Sequence, residues 1–392
     1  MTRGSYVKKE RIERTLFWKD KKPLLCRLDM ELTERCNNNC IHCCINLPAD
    51  DLKAKERELA GEKIKNILEE AVSLDCMSVR FTGGEPLLRE DFQDLYLFAR
   101  KKGLKVLIFT NATLITPQII DLFSRVPPLE KIEVTVYGMK QDSYETVTRI
   151  PGSFEAAWRG INLLMEKKIP FVVKGALLPC NKDEIDGFES WAKKIPWMDG
   201  KPPGYSMFLD LRCRRDGNKN ESIKKLRVTP QEGLEVLTRK KNSYIKGMKE
   251  FCSKFMYPPG ENIFSCGAGC VGCVDAYGNF QACLMLRHPD TVYDLKKGSL
   301  NNALTNFLPK LRGIKSSNVD YLNRCARCFL KGLCEQCPAK SWMEHGTLDT
   351  PVEYLCEVAH TQARFLGLLK ENEMAWEIDH WQGRIRKFLN TN

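Results

Sequence analysis

The stretch CNNNCIHC, residues 36–43, sits where an apolar run ends and a helical pattern begins. Working outward from it, apolar or β-branched runs recur at LLCRLDMEL (24–32), SVRFTG (78–83), KVLIFTN (105–111), KIEVTVYG (131–138), PFVVKGALLP (170–179) and YSMFLDLRC (205–213). Helical patterns separate them: ERELAGEKIKNILEEAVSL, REDFQDLYLFARKKG, TPQIIDLFSRV, SFEAAWRGINLLMEKK and DEIDGFESWAKKI, several entered by Ser, Thr or Asp. Alternating strands and helices with near-continuous apolar strands predict a parallel sheet covered by helices. Six such units fall short of the eight that close a full barrel. The expectation is α/β, an open partial (β/α)6 TIM-like barrel whose gap admits a large substrate. The cysteine stretch then lies at the carboxyl end of the first strand, where α/β proteins carry their chemistry.

Cys36, Cys40 and Cys43 form CX3CX2C, a loop short enough to wrap one compact ion or cluster. Cys44 leaves CX3CX3C as a formal alternative. A structural zinc takes four protein ligands and closes, whereas three thiolates on a [4Fe-4S] cluster leave one iron open to a small molecule. A second group of nine cysteines follows: Cys266, Cys270, Cys273, Cys283, Cys325, Cys328, Cys334, Cys337 and Cys356. Two fully ligated cubane clusters need eight, so one is left over; two zinc knuckles are the plainer reading of the CX2C pairs alone. Cys26, Cys76, Cys180, Cys213 and Cys252 fall mostly within strand or helix patterns and read as packed thiols.

Eighteen cysteines in 392 residues are clustered rather than paired at disulfide spacings, which favours metal or cluster ligation in a reducing compartment. No apolar run approaches the ~20 residues that span a bilayer, and the N-terminus has no apolar stretch after its charges, so the expected location is the cytoplasm with no membrane partner. The net charge of +11 is spread over runs such as RCRRDGNKNESIKKLR. None is joined to a helix-turn-helix, RNA-recognition or zinc-finger pattern, so nucleic acid is not expected, and a positive surface suits an acidic peptide equally. The organisation read from these patterns is a basic extension (1–25), the barrel (26–215), a connector with a helix (216–262), the cysteine-rich segment (263–362) and a helical tail (363–392).

CX3CX2C after the first strand, with GGEP (83–86) after the second, resembles the radical S-adenosylmethionine (radical SAM) superfamily, whose motif carries an aromatic residue where His42 stands. The resemblance implies that the open iron chelates the amino and carboxylate groups of S-adenosylmethionine. It also implies cofactor contacts from Gly83, Gly84 and Glu85, from Asn111, Thr135 and Arg149 toward ribose and carboxylate, and from Leu178 toward adenine. The glycines free backbone carbonyls to approach an ammonium, and the Glu85 carboxylate can support it. Read without the family, GGEP is a strand-to-helix turn, Asn111 a strand terminator, Arg149 a partner of Glu145 and Leu178 a core residue.

CGAGCVGCVDAYGNFQACLMLRH and CARCFLKGLCEQCPA resemble the SPASM extension of that superfamily. Gly278 to Cys283 fits its GX4C, and Cys325, Cys328 and Cys334 fit CX2CX5C; the following CX2C to Cys337 is one residue shorter than the pattern. Carried over, one auxiliary cluster takes Cys266, Cys283 and Cys337 plus Cys270 or Cys273, with Cys270 favoured because Gly267 and Gly269 ease its turn while Cys273 enters a strand. The other takes Cys325, Cys328, Cys334 and Cys356. The resemblance implies reductive cleavage of S-adenosylmethionine to a 5′-deoxyadenosyl radical, hydrogen abstraction from a ribosomally made peptide, and a thioether or carbon-carbon crosslink. It further implies an electron donor such as flavodoxin or ferredoxin. The first 25 residues are too few for a winged-helix leader-binding domain, so a separate leader-binding protein is the expected partner. The alternatives are a small-molecule or sulfatase-maturing member of the same subgroup, or a non-catalytic zinc or nucleic-acid-binding protein. Sulfatase-maturing members resemble one another in an Asp after the GX4C cysteine, where this chain has Leu284.

Overall fold

The computed structural model describes residues 25–256, 260–264, 266, 271–334 and 336–390. Six strands run parallel in chain order: β1 (Arg27–Thr33), β2 (Ser78–Gly83), β3 (Lys105–Thr110), β4 (Ile132–Val136), β5 (Phe171–Ala176) and β6 (Gly204–Ser206). This is the expected partial barrel. Its sixth strand is shorter than the apolar run 205–213, which leaves the sheet after Ser206. Helices Gly61–Ser73 and Phe92–Lys101 bury Ile64, Ile67, Leu68 and Ala71, and Phe92, Leu95, Tyr96 and Ala99, at the three- and four-residue spacing of one helix face. They cover the side of the sheet that presents Leu28, Met30, Val79, Phe81, Val106 and Ile108, all unexposed.

Two features differ from the sequence reading. The sheet does not stop at β1. Strand β7 (Val271–Val274) pairs parallel with it from Arg27↔Val271 to Met30↔Val274, and β8 (Asn279–Gln281) and β9 (Val292–Asp294) add antiparallel, giving nine strands in the order β9-β8-β7-β1-β2-β3-β4-β5-β6. The cysteine-rich segment therefore grows out of the barrel sheet through a tight β7–β8 turn, in which Gly278 takes φ +87°. The connector is also not one helix but three, Gly217–Lys224, Pro230–Thr238 and Lys241–Phe255. Asp216 caps the first; Thr229 and Glu232 form a reciprocal capping box on the second, with Pro230 at its first position. The third helix shares a second apolar core with Phe329, Leu330, Leu366, Leu369, Ile385 and Phe388, so the C-terminal helix Trp381–Asn390 is packed rather than loose. Among the described residues no helix is long and apolar enough to cross a membrane.

Alternation along the strands puts charge on the inner face of the barrel. Asp29 pairs with Arg27 and Arg80, Lys174 with Glu133, and the Phe109 ring lies under both Arg80 (4.5 Å) and Lys174 (3.6 Å). Above them Arg287 binds Glu31 with Nη2 (2.7 and 2.5 Å) and Glu34 with Nη1 (2.8 Å). Tyr277 Oη donates to Glu34 at 2.7 Å and Arg214 pairs with the same carboxylate. Both glutamates are buried, and burial raises the Glu31 carboxyl above its ordinary range against the pull of Arg287. Buried charges of this kind are tolerated only when paired.

Arg287→Met should therefore destabilise the fold by about 3–5 kcal/mol at pH 7 by leaving two buried carboxylates with one guanidinium fewer. A carboxyl whose folded pKa is raised takes up its proton in the folded state as pH falls, so the difference from wild type should shrink toward pH 5. Denaturant unfolding at the two pH values checks this; a small deficit, or one that grows on acidification, contradicts it.

Candidate active site

The loop carrying Cys36, Cys40 and Cys43 leaves β1 through a short parallel pairing of Arg35–Cys36 with Leu47–Pro48. The Arg35 guanidinium grips Glu58 (2.8 and 3.1 Å) and Ala49 O (2.9 Å). Arg212 reaches across from beyond β6 to Cys43 O (2.7 Å), Asn46 Oδ1 and Asn46 O (2.9 Å each). Asn39 N and Ile41 N donate to Thr148 O and Val147 O at 2.9 Å. The loop is thus held on four sides.

The GGEP turn lies directly beneath it. Gly84 N donates to Thr33 O at 2.8 Å and Glu85 N to Arg35 O at 3.0 Å. A Cβ on Gly83 would collide with Thr33 O, and one on Gly84 with Arg35 O; Gly83 also takes φ +130°. Glu85 points inward rather than toward the open cleft. Its buried carboxylate accepts from Asn111 N (2.8 Å), Thr110 Oγ1 (2.9 Å) and Leu87 N (3.1 Å), and burial pushes its pKa up to about 7. It joins the ends of β2 and β3 under the cysteine loop.

The three thiols are electrostatic neighbours in a dry setting. Burial pushes Cys36 up to about 12, with the Glu85 charge adding to it, and holds Cys40 well above the ordinary thiol range, with Cys43 and Cys36 next in effect. Asn38 N and Asn46 N point at Cys36 Sγ and Cys43 Sγ at 3.4 Å. Three neighbouring thiolates here would need a compensating positive charge, which a bound iron-sulfur cluster would supply. Among the described residues no three Cys, His, Asp or Glu side chains converge on a single ion. Both amide atoms of Asn38 and Nδ1 of His42 are buried without partners beside this loop, as polar groups awaiting a ligand are. The donor set fits an iron-sulfur cluster with one open iron.

The remaining expected cofactor contacts divide. His42 packs against Tyr137 (5.6 Å between rings), and burial holds its pKa down at about 4, so it is a neutral aromatic. Asn111 Nδ2 donates to Asn37 Oδ1 (3.0 Å) and points at Cys36 Sγ (3.8 Å). Thr135 stands on β4 opposite Lys174, on the inner face. Leu178 is fully buried just past β5. Arg149 ends helix Gln141–Thr148 in the left-handed region, exposed, and Glu145 accepts from Gly152 N instead of pairing with it. Sequence reasoning missed Tyr137, which hydrogen-bonds Cys40, and Arg212. Tyr137 lay in the quoted run KIEVTVYG, but nothing local marked its partner.

Downstream, Cys325, Cys328, Cys334 and Cys356 line one cavity with Arg324, His360 and Trp376. Arg324 Nη2 lies 3.8 Å from Cys356 Sγ, and His360 Nδ1 3.6 Å from it. Cys266, Cys283 and Cys337 form a second group, and burial pushes Cys337 up to about 12 with Cys283 and Cys266 adding to it. Cys270 lies outside the described residues. Cys273 is fully buried in β7, and the charges acting on it are Glu31, Arg287, Asp29 and Asp275 rather than Cys266, Cys283 or Cys337.

A cavity of ≈ 680 Å³ opens between β6, the connector helices and the last cysteines. His42 and Cys44 stand in its wall at the cysteine loop, Cys334 at the far end, and Tyr205, Met207, Phe208, Tyr244, Met248 and Phe251 along its sides. Asp210, paired with the half-buried Lys340, is an acidic residue of its wall.

Residues 30–192 match the model of the Radical SAM superfamily. The AdoMet-dependent heme synthase of Methanosarcina barkeri is 30% identical over 165 residues, 42% of this chain and 46% of that protein. GTP 3′,8-cyclase of Clostridium botulinum is 29% identical over 177 residues, 43% of this chain and 53% of that protein. The chain spans about half the length of these curated relatives. Streptococcus suis SuiB bound to its precursor peptide SuiA superposes with a TM-score of 0.63 at 15% identity, covering 88% of this chain and 79% of that one. AnSMEcpe with bound AdoMet gives 0.59 at 14% identity, covering 92% and 98%. At such identities the likeness is one of fold, and it extends through the cysteine-rich segment.

Because nothing but hydrogen fits between Gly84 and the Arg35 carbonyl, Gly84→Ala should cost about 1–3 kcal/mol and displace the cysteine loop. A lowered thermal midpoint together with loss of iron from the reconstituted protein is the expected result; unchanged values of both contradict the packing argument.

Proposed function

We propose, from the match of residues 30–192 to the Radical SAM superfamily model, that the chain is a radical SAM/SPASM enzyme modifying a ribosomally made peptide by a thioether or carbon-carbon crosslink. The observation that carries the reading is the ≈ 680 Å³ cavity, which joins the cysteine loop to the downstream cysteines along apolar and aromatic walls. Its size is that of sites that enclose a ligand, and its walls suit bulky side chains of a peptide more than a phosphorylated nucleotide. Cys36, Cys40 and Cys43 would hold an iron-sulfur cluster, which with S-adenosylmethionine would supply radical hydrogen abstraction from unactivated carbon.

The chain's own part is placement and exclusion of water. Gly83 and Gly84 would offer backbone carbonyls to an ammonium, Asn111 and Thr135 would offer polar contacts, and Leu178 and Tyr137 would close the apolar side. Cys266, Cys283, Cys337 and Cys270 would hold one auxiliary cluster, and Cys325, Cys328, Cys334 and Cys356 the other. Arg149, exposed at the end of its helix, would have to turn inward to meet a carboxylate. A flavodoxin- or ferredoxin-like donor and a separate leader-binding protein complete the scheme. The small-molecule alternative draws its support from relatives named for heme and GTP chemistry; Leu284 after Cys283 speaks against the sulfatase-maturing one.

Anaerobically reconstituted protein given reductant and S-adenosylmethionine should form 5′-deoxyadenosine, and the variant lacking Cys36, Cys40 and Cys43 should form none; product from that variant would sink the assignment. Iron analysis should return about twelve irons per chain, falling by about four in Cys270→Ala and unchanged in Cys273→Ala. The opposite pattern exchanges the two roles, and stoichiometric zinc with little iron removes the clusters.

A further inference from the structure

A guanidinium reaches into the cavity lined by Cys325, Cys328, Cys334 and Cys356. Arg324, which precedes the first of these cysteines, is held on two sides. Glu353 takes its fork through Nη1 (2.6 Å) and Nη2 (2.8 Å), and the Trp376 ring lies 4.9 Å from the guanidinium carbon. Held so, Nη2 stands 3.8 Å from Cys356 Sγ, and Nε is buried with no hydrogen-bond partner, a donor left for whatever the four cysteines hold. His360 adds a second donor at the same sulfur. Its Nε2 accepts from Ala375 N at 3.2 Å, so the neutral ring carries its proton on Nδ1, which faces Cys356 O at 2.8 Å and Cys356 Sγ at 3.6 Å. Lys331, also in the cavity wall, points its ammonium at Gly260 O and Asn262 O, 3.0 Å each. Cys334 stands in the wall of the large cavity as well, and Cys356 in that of a separate concavity rimmed by the exposed Glu353, Glu357 and Met374. The four cysteines thus lie between the large cavity and the protein surface.

We propose that Arg324 is a positioning residue that raises the reduction potential of the cluster held by Cys325, Cys328, Cys334 and Cys356, through its charge and its N–H groups at the Cys356 corner. The inference rests on the auxiliary-cluster reading of those four cysteines. Taking up one electron from an external donor makes a cluster more negative by one charge, and a cation that donates toward a ligand sulfur stabilises that state over the oxidised one. Net charge and hydrogen bonds to the sulfurs are among the quantities that set such potentials. A guanidinium keeps its charge at any pH the protein meets. Glu353 offsets part of it, but its side chain is 63% exposed against 25% for Arg324, so water screens the carboxylate more than the cation. A hydrogen bond to a charged group is worth about tenfold or more in an equilibrium, which for one electron is about 59 mV.

The test uses the full chain with Cys36, Cys40 and Cys43 replaced by Ala and reconstituted with iron and sulfide, which leaves the auxiliary clusters. Titration with dithionite, followed by electron paramagnetic resonance, reads a midpoint for each, and the wave lost in Cys328→Ala marks the cluster in question. Arg324→Gln should keep about eight irons per chain and lower that midpoint by about tenfold in the one-electron equilibrium, about 59 mV, with the other midpoint unmoved. Arg324→Lys should restore most of the shift. Arg324→Met, which keeps an apolar stem over Trp376, takes the place of Arg324→Gln should that variant not fold. An unmoved midpoint at full iron content overturns this inference and leaves the cluster reading standing. Loss of about four irons from the Arg324 variants gives the residue a merely structural part and overturns it too. A parent chain that binds no iron at Cys325, Cys328, Cys334 and Cys356 overturns the inference and the cluster reading together.

Discussion

The close passage of the GGEP turn under the cysteine loop is the constraint on which the rest depends. Two carbonyls, Thr33 O and Arg35 O, occupy the space where Gly83 and Gly84 would carry side chains, and both accept from the turn beneath. With no side chain between them, the ends of β1 and β2 lock together, and Glu85, pointing down, adds β3 through Asn111 N and Thr110. Three consecutive strand ends are thereby fixed as one floor. A loop that must present three thiols at defined places gains its rigidity from that floor, and Arg35 and Arg212 hold its rim.

The second organising fact is charge inside the barrel. β1 alternates Leu28, Met30 and Leu32 toward the helices with Asp29 and Glu31 toward the lumen. Those carboxylates recruit Arg80 from the neighbouring strand and Arg287 from the distant cysteine-rich segment. Arg287 lies four residues after Cys283, so the ion pairs that satisfy β1 also set where that cysteine sits relative to the loop. Together with β7 on the edge of β1, this makes the auxiliary segment a continuation of the barrel sheet rather than an appended module.

Much of this was legible in the sequence because it is local. Strand-helix alternation marked all six barrel strands, and the CX3CX2C triplet stood apart in the sequence from the downstream cysteines, of which Cys325, Cys328, Cys334 and Cys356 line one cavity. What escaped was non-local or unperiodic. Nothing in VGCV announces that it pairs with RLDM, since four-residue strands carry no register signal. Arg212, Arg287 and Tyr137 looked like surface or strand residues, and a buried ion pair has no sequence signature until its partners are known. The connector helices were readable in principle: Thr229, Pro230 and Glu232 spell a capping box, overlooked beside the lysine-rich run. Those helices supply Tyr244, Met248 and Phe251 to the cavity, so missing them also hid the site's shape.

The central claim is that Cys36, Cys40 and Cys43 bind a cluster with one iron left for S-adenosylmethionine. Electron paramagnetic resonance of the reduced protein, with the auxiliary cysteines Cys283 and Cys328 replaced so that one cluster dominates, reads this directly. The account predicts a [4Fe-4S] signal whose g-values move when S-adenosylmethionine is added. A signal indifferent to S-adenosylmethionine, or none that depends on these three cysteines, would contradict it.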